Sequence, residues 1–302
     1  MLDFIVWVIS NVGLSVVNLL QAITNPAAWL DWSNKQSLMR FIYYGGSVEL
    51  LFVVLTTFLV ITIIGFWKNG FLWRVVGGLE FFANWTGRFF AWAGLLMVLQ
   101  QIVIVFLQRI FLVSEITIGP FGYVFTRDLS WFSEELKLYN AMIVTLCATY
   151  TFVQGGHVRV DLVYSAVNHR KKRLIDMFGS LVFMMPMITL TWLYSWYFMW
   201  RHLVTPKVSA SDTLERVLLK ARAVRWNVET IGFSPNGFDG YFLFKVLIVA
   251  FCGMVFLQAM AFFWRSYLEF IEGEESIDKN LDRDTLGDVD ETAEHVAELH
   301  AH

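Results

Sequence analysis

Charged residues are scarce in this chain of 302 residues: they make up 16% of it, against roughly 25% in an ordinary soluble domain. Hydrophobic residues make up 57% and aromatic residues 17%. Most of the chain therefore has more than enough apolar surface to fold, which excludes intrinsic disorder over most of its length. The composition indicates a membrane protein.

Cysteine and proline are also few. The two cysteines, Cys147 and Cys252, lie inside apolar runs, where a thiol acts as a small hydrophobic group. No Cys-X-X-Cys motif or Cys/His cluster occurs, so the sequence predicts neither a disulfide scaffold nor a metal site. Five prolines in 302 residues are compatible with long helices.

Signatures of common enzyme classes are missing as well. No nucleotide-binding glycine loop, serine-hydrolase elbow or zinc-protease motif is present. A haem-bearing anchor would need imidazoles inside the helical bundle, and every histidine lies outside the apolar runs. We therefore expect no catalytic residue and no cofactor.

Five apolar runs are long enough to cross a hydrocarbon core, which takes roughly 20 helical residues. They cover residues 50–67, 89–107, 136–153, 177–200 and 246–264. A sixth run, residues 4–23, has a polar face and either spans the membrane or lies on its surface. The sequence thus predicts an all-α integral membrane protein with five or six transmembrane helices.

The distribution of Lys and Arg predicts the orientation, because short basic loops face the cytoplasm. Arg170, Lys171, Lys172 and Arg173 form the densest basic cluster. With this cluster inside, the segment 68–88 and the C-terminus are cytoplasmic, and 114–130 faces outward. The basic 201–240 loop must then be external, against the rule.

That external loop contains a predicted amphipathic surface helix. Asp212 is the expected N-cap, with Glu215 as its capping partner three residues later. An apolar stripe follows, which we expect to lie on the membrane or to dock on a partner. Its members are Leu214, Val217, Leu218, Ala221 and Val224.

Ionisable residues are expected only near the ends of the spans: Glu49, Asp176 and Lys245 can reach the interface or cap a helix. Neutral polar residues lie deeper. They are Gln100, Gln101 and Gln258, which we expect to hydrogen-bond between helices.

Charges also flank the outward-facing 114–130 segment. Arg109 ends one helix, and Glu134 and Glu135 begin the next, so we expect an ion pair between them.

The C-terminal segment 269–302 differs from the rest of the chain. It contains 12 acidic and 2 basic residues, whereas residues 1–268 contain 14 acidic and 21 basic residues. Such a segment is too acidic and too poor in aromatics to form a core. We expect an acidic cytoplasmic tail without a stable fold.

The segment 154–161 reads QGGHVRVD. Gly155 and Gly156 can end the preceding helix. His157, Arg159 and Asp161 then alternate with apolar residues, so that one side of this elbow can meet lipid headgroups or a partner. The nearby cluster 170–173 is expected to bind anionic lipid.

Several segments together resemble a known family. GGHVRVD, the preceding SWFSEEL (residues 130–136), RIF (109–111) and LIDMFGSLVFMMP (174–186) are similar, in order and spacing, to the small DctQ-type membrane subunit of tripartite ATP-independent periplasmic (TRAP) transporters. The resemblance covers about residues 85–270, including the Leu257–Gln258 pair in the last helix.

This resemblance implies a scaffold role. It implies a four-helix core at 85–268. The chain departs from the usual family member in the N-terminal extension at 1–84 with one or two more membrane helices, in the long basic loop at 201–240, and in the tail at 269–302. The implied partners are a large membrane subunit, which carries solute with sodium ions, and a periplasmic binding protein that delivers an organic-acid-type solute. The implied location is a bacterial or archaeal cytoplasmic membrane, and no nucleic-acid partner is expected.

Two alternatives remain open at the level of sequence. The chain could be a structural anchor for another membrane complex, such as a redox or assembly module. It could instead be an autonomous carrier or channel, which the lack of ionisable residues in the middle of the spans makes less attractive.

Overall fold

The computed structural model describes residues 2–119, 124–155, 167–230, 237–277 and 279–282. These residues are mainly helical. In chain order the helices are α1 Leu2–Thr24, α2 Ala27–Leu30, α3 Lys35–Gly45, α4 Val48–Trp67, α5 Asn69–Arg109, α6 Leu129–Leu146, α7 Ala148–Val153, α8 His169–Phe178, α9 Met185–Leu203, α10 Leu214–Lys220 and α11 Tyr241–Glu272.

Among the described residues, two pairs of short strands and one π-helical segment lie between these helices. Strand β1 (Glu115–Ile118) pairs antiparallel with β2 (Phe125–Asp128), and β3 (Val204–Thr205) pairs antiparallel with β4 (Arg225–Trp226). A π-helical segment, Gly179–Met184, joins α8 to α9. These elements leave the all-α class intact.

Six helical stretches are long and apolar enough to cross a membrane: Asp3–Thr24, Val48–Trp67, Asn69–Arg109, Leu129–Val153, His169–Leu203 and Tyr241–Glu272. The predicted class, an all-α multi-pass membrane protein, is confirmed. The stretch whose fate the sequence left open, residues 4–23, is helical and packs along α4. Its Ser15 hydroxyl donates to Thr56 Oγ1 at 2.8 Å.

Helix α5 is longer than expected. It contains 41 residues, about 60 Å at 1.5 Å per residue, and its first half replaces the loop expected at 68–88. The segment contains no proline, and its apolar residues Leu72, Trp73 and Val76 are buried against neighbouring helices. Helix α5 also runs unbroken through residues 84 and 85, where the resemblance places the start of the core.

Helix α11 lies at the centre of the bundle, in contact with α5, α6, α8 and α9. Trp264 on α11 is 1% exposed and stacks on Phe58 of α4, and its indole N–H donates to Thr62 Oγ1 at 2.9 Å. The N-terminal helix α4 is therefore packed into the same apolar core as α5 and α11.

Pro186, which we expect to bend its helix, is the second residue of α9 and lies two residues after the end of the π-helical segment Gly179–Met184. A proline inside a helix has no N–H and its ring displaces the carbonyl one turn earlier. A wider π turn accommodates both effects without ending the helix. Helices α8 and α9 therefore continue as one membrane-length stretch.

One end of the bundle carries a small cap, formed by residues 27–45 and 204–226. Its core joins α3 and α10, where Met39, Ile42 and Val217 are at most 2% exposed. The indole of Trp196 on α9 donates to Ile42 O at 2.8 Å and fixes the cap on the bundle. The apolar stripe of α10 thus packs on the chain's own α3, rather than on the membrane or a partner.

The predicted N-cap of this surface helix is wrong by one residue. Thr213 occupies the N-cap position of α10. The Asp212 carboxylate instead accepts from Ser209 N at 3.0 Å and from Lys220 Nζ at 2.6 Å. It therefore ties Lys220, the last residue of α10, to the turn that precedes the helix.

The described residues at the ends of the helices separate into two groups. The cap lies at one end, with Phe238 N near Glu134. Asn168, the last residues of α11 and the first residues of α5 lie at the other end, where His169 and Trp73 contact α11. The structure therefore has one cap end and one opposite end, which we call the network end for the charge network described below.

We predict that Asn168→Cys and Ser211→Cys react with an impermeant maleimide from opposite sides of the membrane. Both residues are exposed, and they lie at the network end and in the cap respectively. With the basic cluster inside, residue 168 should be labelled from the cytoplasm. Labelling of both residues from the same side would contradict this arrangement. The unsubstituted protein is the control, because it measures any labelling of the native Cys147 and Cys252.

Candidate functional site

A buried ion pair joins α5 to α11 at the network end. Arg265 Nε and Nη2 each lie 2.5 Å from one oxygen of the Glu80 carboxylate. Glu80 is 4% exposed and Arg265 is 9% exposed. A planar guanidinium facing a carboxylate with two parallel hydrogen bonds is the strongest and most directional form of such a pair.

The same arginine begins a wider network. Glu269, one turn further along α11, lies 3.4 Å from Arg265 Nη1 and 2.6 Å from Arg173 Nη2. Arg173 on α8 also contacts Asp176 at 3.1 Å. Alternating charges therefore connect α5, α11 and α8, and we call these five residues the charge network.

The indole of Trp73 covers the network on one side. The Arg265 guanidinium lies 5.3 Å from the ring centroid of Trp73. The Trp73 indole donates to Glu272 Oε1 at 2.8 Å. The ring restricts access of water to the arginine, and this strengthens its attraction to the carboxylates.

The chain after α11 folds back on the network. Gly273 has φ = 88°, a left-handed conformation that glycine adopts without strain and that ends the helix. Lys279 O then accepts from Arg265 Nη1 at 3.3 Å, and Lys279 Nζ lies 2.9 Å from Glu272. The beginning of the predicted tail is therefore held against the bundle.

Asp282 forms a second anchor for this segment. Its carboxylate receives two hydrogen bonds from Arg88, at 2.8 and 3.0 Å. Its carbonyl oxygen accepts from Asn84 Nδ2 at 2.7 Å and from Gln154 Nε2 at 2.9 Å. Asp282 thus lies where α5 meets the first residue of the QGGHVRVD elbow.

The sequence does not predict the charge network, for a physical reason. Glu80 falls in a segment that has too many polar residues for a membrane span, so its composition indicates a loop. Arg265 and Glu269 follow the last apolar run directly, where charged residues are typical of solvated flanks. One feature of the sequence could have indicated part of the network. Arg265 and Glu269 are one helical turn apart, a spacing at which opposite charges pair on a helix, and the helix continues to Glu272.

Other residues singled out in the sequence form a contact between α5 and α6. Gln100 Nε2 donates to Phe132 O and to Glu135 Oε2, both at 3.0 Å. Glu134 accepts from the backbone N–H of Phe238 at 2.9 Å. Gln100 thus links two helices, as neutral polar groups inside a bundle commonly do.

The expected ion pair of Arg109 is wrong. Among the described residues, no ion pair within 4.0 Å joins Arg109 to Glu134 or Glu135. Arg109 is exposed at the end of α5. The two glutamates accept hydrogen bonds from backbone and amide donors instead. Gln100 is the residue of α5 that contacts Glu135, and Arg109 lies nine residues further along the helix.

Gln101 and Gln258 differ in their exposure. Gln101 is exposed on α5. Gln258 is 4% exposed in α11, and within the described part of the chain its Oε1 accepts no hydrogen bond. Their expected role in helix contacts stays a prediction.

The elbow is described only at its start. Gly155 has φ = 77°, which agrees with a glycine at the end of α7. Gly156, His157, Arg159 and Asp161 lie outside the described residues. Their expected contacts with lipid or a partner remain predictions.

Lys245 lies near the start of α11, and its side chain is covered by protein. Its expected reach to the membrane interface stays a prediction. The residue is 6% exposed, and its Nζ lies 3.7 Å from the ring centroid of Phe198 and 3.3 Å from the Tyr241 hydroxyl. The ring face attracts the ammonium group and replaces part of its hydration. Lys245 therefore packs between α9 and α11 near the cap.

An apolar cavity of about 380 Å³ lies between α4, α9 and α11. Leu51, Trp192, Cys252 and Met260 are among its lining residues. It offers few polar groups, so it provides packing volume and no reactive chemistry. Within the described ranges, no group of three His, Cys, Asp or Glu residues is arranged to hold a metal ion.

Comparison with protein families identifies one segment. A family model described as the DctQ component of tripartite ATP-independent periplasmic transporters matches residues 121–219. The match runs from the β1–β2 hairpin to α10 and covers about a third of the chain. It confirms the DctQ resemblance over that segment. Comparisons with curated proteins and with solved structures returned no match.

We predict that Arg265→Ala lowers the free energy of unfolding by about 3 to 5 kcal/mol, because Glu80 is left as a buried charge without its partner. Arg74→Ala is the matched control: Arg74 is an exposed arginine on α5, and its loss should cost about 0 to 1 kcal/mol. Tryptophan fluorescence during denaturation in detergent measures both.

A double variant measures the interaction between Glu80 and Arg265 separately from the contacts that each makes with other residues. Glu80→Gln with Arg265→Gln removes both charges, so it should lose less stability than the two single variants summed. Equal unfolding midpoints for Arg265→Ala and Arg74→Ala would show that the buried pair does not stabilise the bundle.

Proposed function

We propose that this chain is the small, DctQ-type membrane subunit of a TRAP transporter in a bacterial cytoplasmic membrane. The observation that carries the proposal is the family-model match at 121–219. The six membrane-length helices fit an integral membrane subunit. The match includes α6, α8, α9 and the cap helix α10, which are elements from both ends of the bundle.

Within this transporter we propose a scaffold role rather than a transport or catalytic one. A carrier of ions needs ionisable groups that are available along a path through the membrane. The two buried glutamates among the described residues are paired, Glu80 with Arg265 and Glu269 with two arginines, and the partly buried Glu135 accepts a hydrogen bond from Gln100. These contacts fix helices and leave the movement of solute to another subunit.

The proposed main partner is a large membrane subunit that carries an organic-acid-type solute together with sodium ions. Helix α5 offers a contact face for such a subunit. Trp85, Phe89 and Trp92 follow one another at helical spacing and are 58 to 66% exposed. Large aromatic side chains of this kind are favoured as anchors at protein interfaces.

The cap is a proposed contact for the periplasmic binding protein. Its exposed basic residues come from two separate parts of the sequence, α3 and the 204–226 segment, which the fold brings together. They are Lys35, Lys207, Arg216, Arg222 and Arg225. An acidic binding protein would be attracted to this surface, and the attraction would weaken as salt increases.

Anionic lipid is the proposed partner of the basic cluster at 170–173. Arg170 and Lys171 are exposed, whereas Arg173 is committed to Glu269 and Asp176. The first two side chains are therefore free to meet headgroups in the cytoplasmic leaflet. The cytoplasmic placement of the C-terminus follows from the same orientation.

The runner-up is a structural anchor for a different membrane complex, and purification separates the two. We predict that the tagged chain, extracted from its native membrane in mild detergent, brings down a larger multi-pass permease in a fixed ratio. Mass spectrometry of the purified complex identifies it. Recovery of a redox or assembly protein, with no permease, would contradict the proposal.

A further inference from the structure

The structure fixes where the acidic tail leaves the bundle. Residues 273–277 and 279–282 fold back along α11 and α5, and Asp282 is bound by Arg88, Asn84 and Gln154. The rest of the chain therefore starts from the network end, beside the elbow that leads to α8. The part of the tail beyond Asp282 therefore begins at a residue that is bound to the bundle, and not at the end of α11.

The remaining segment is strongly acidic. Residues 283–302 contain six carboxylates and a single arginine. A run of 20 residues can extend to roughly 65 Å, at about 3.3 Å per residue. Reach therefore does not limit which groups at the network end the tail can meet.

The first turn of α8 presents positive charge at this end. Arg170 and Lys171 are exposed, and neither forms an ion pair with another described residue. Next to them, an open cleft of about 430 Å³ is lined by His169, Lys172 and Arg173. The α8 backbone adds to this field, because the N-terminus of a helix favours negative charge.

Anchored residues of the tail already reach this cleft. Glu274 and Ile277 line it together with the three basic side chains of α8. Glu269 also pairs with Arg173 on its inner side. Glu269 therefore pairs with the inner part of the basic turn and Glu274 lies at the same cleft, while the outer pair, Arg170 and Lys171, stays exposed.

We propose that the acidic tail beyond Asp282 docks on the first turn of α8 and pairs with Arg170 and Lys171. A segment tethered at the same end of the bundle as its site acts at an effective concentration in the millimolar range. Each exposed ion pair is weak, so the docked tail is in exchange with the free tail, and binding falls as salt screens the charges. The tail then competes within the molecule with anionic lipid for the same residues.

This inference does not depend on the transporter assignment, because the tail and α8 share one end of the bundle in any complex. It links the acidic tail to lipid binding: a chain with its tail docked has fewer basic groups available to the cytoplasmic leaflet. A charged tail of this kind can lower the binding of anionic lipid to the basic turn through electrostatic competition alone.

Zero-length crosslinking tests the proposal on the full chain. The protein is placed in nanodiscs of phosphatidylcholine, which carries no net charge, and treated with a water-soluble carbodiimide, which joins carboxylates to lysine amines. We expect tail carboxylates to link to Lys171 about fivefold more often than to Lys68, the enrichment that one exposed ion pair provides. Lys68 is an exposed lysine at the same end.

Two variants sharpen the result. Arg170→Glu reverses a neighbouring charge but keeps the Lys171 amine, so the crosslink to Lys171 should fall to the level of Lys68. Arg74→Glu makes the same change at an exposed position on α5 and should leave the Lys171 crosslink unchanged. High salt should reduce the Lys171 crosslink in the unsubstituted chain.

Two outcomes would overturn the proposal. Equal crosslinking of Lys171 and Lys68 would mean that the tail meets this end of the bundle at random. If Lys171 carries no tail crosslink and is protected from modification only when phosphatidylglycerol replaces phosphatidylcholine, the basic turn is a lipid site and not a docking site for the tail.

Discussion

The pairing of Glu80 with Arg265 is the interaction on which the network end of the bundle depends. Both groups are removed from water, a cost that only close and complete pairing can offset. The geometry provides this, with two hydrogen bonds of 2.5 Å between them. Because one partner lies on α5 and the other on α11, the pair fixes how far the two helices can slide past each other.

Further contacts extend this constraint to other elements. Glu269 connects Arg265 to Arg173 and therefore α11 to α8. Lys279 O accepts from Arg265, which brings the start of the tail to the same point. At the cap end α3 is held against α9 by an apolar cluster and by two hydrogen bonds, from the indole N–H groups of Trp192 and Trp196 to backbone carbonyls of α3. A bundle fixed at both ends suits a subunit that supports a moving partner.

Much of this architecture follows from hydropathy. The apolar runs are long, and the need to cross about 30 Å of hydrocarbon is enough to predict five of the six helical stretches. Polarity is a poor guide where a helix continues beyond the membrane core. The segment around Glu80 has the composition of a loop, yet it is helical because Leu72, Trp73 and Val76 pack against neighbours that lie far away in sequence.

Individual contacts are harder to predict than spans. Gln100 is expected to bind a neighbouring helix and does so, because an amide inside a bundle has few other partners. Nearness in sequence suggests that Arg109 pairs with Glu134 and Glu135, and that pair does not form. The fold brings Phe238, about a hundred residues away, to Glu134. Pairing at helix ends depends on tertiary geometry that no local pattern contains.

The most direct test of the scaffold account is the ratio of sodium to solute transported by the assembled complex in liposomes. If this chain only supports the large subunit, a complex containing the Glu80→Gln variant should form in lower yield but transport with the same ratio as the unsubstituted complex. A changed ratio, or solute transport by this chain without the large subunit, would contradict the account.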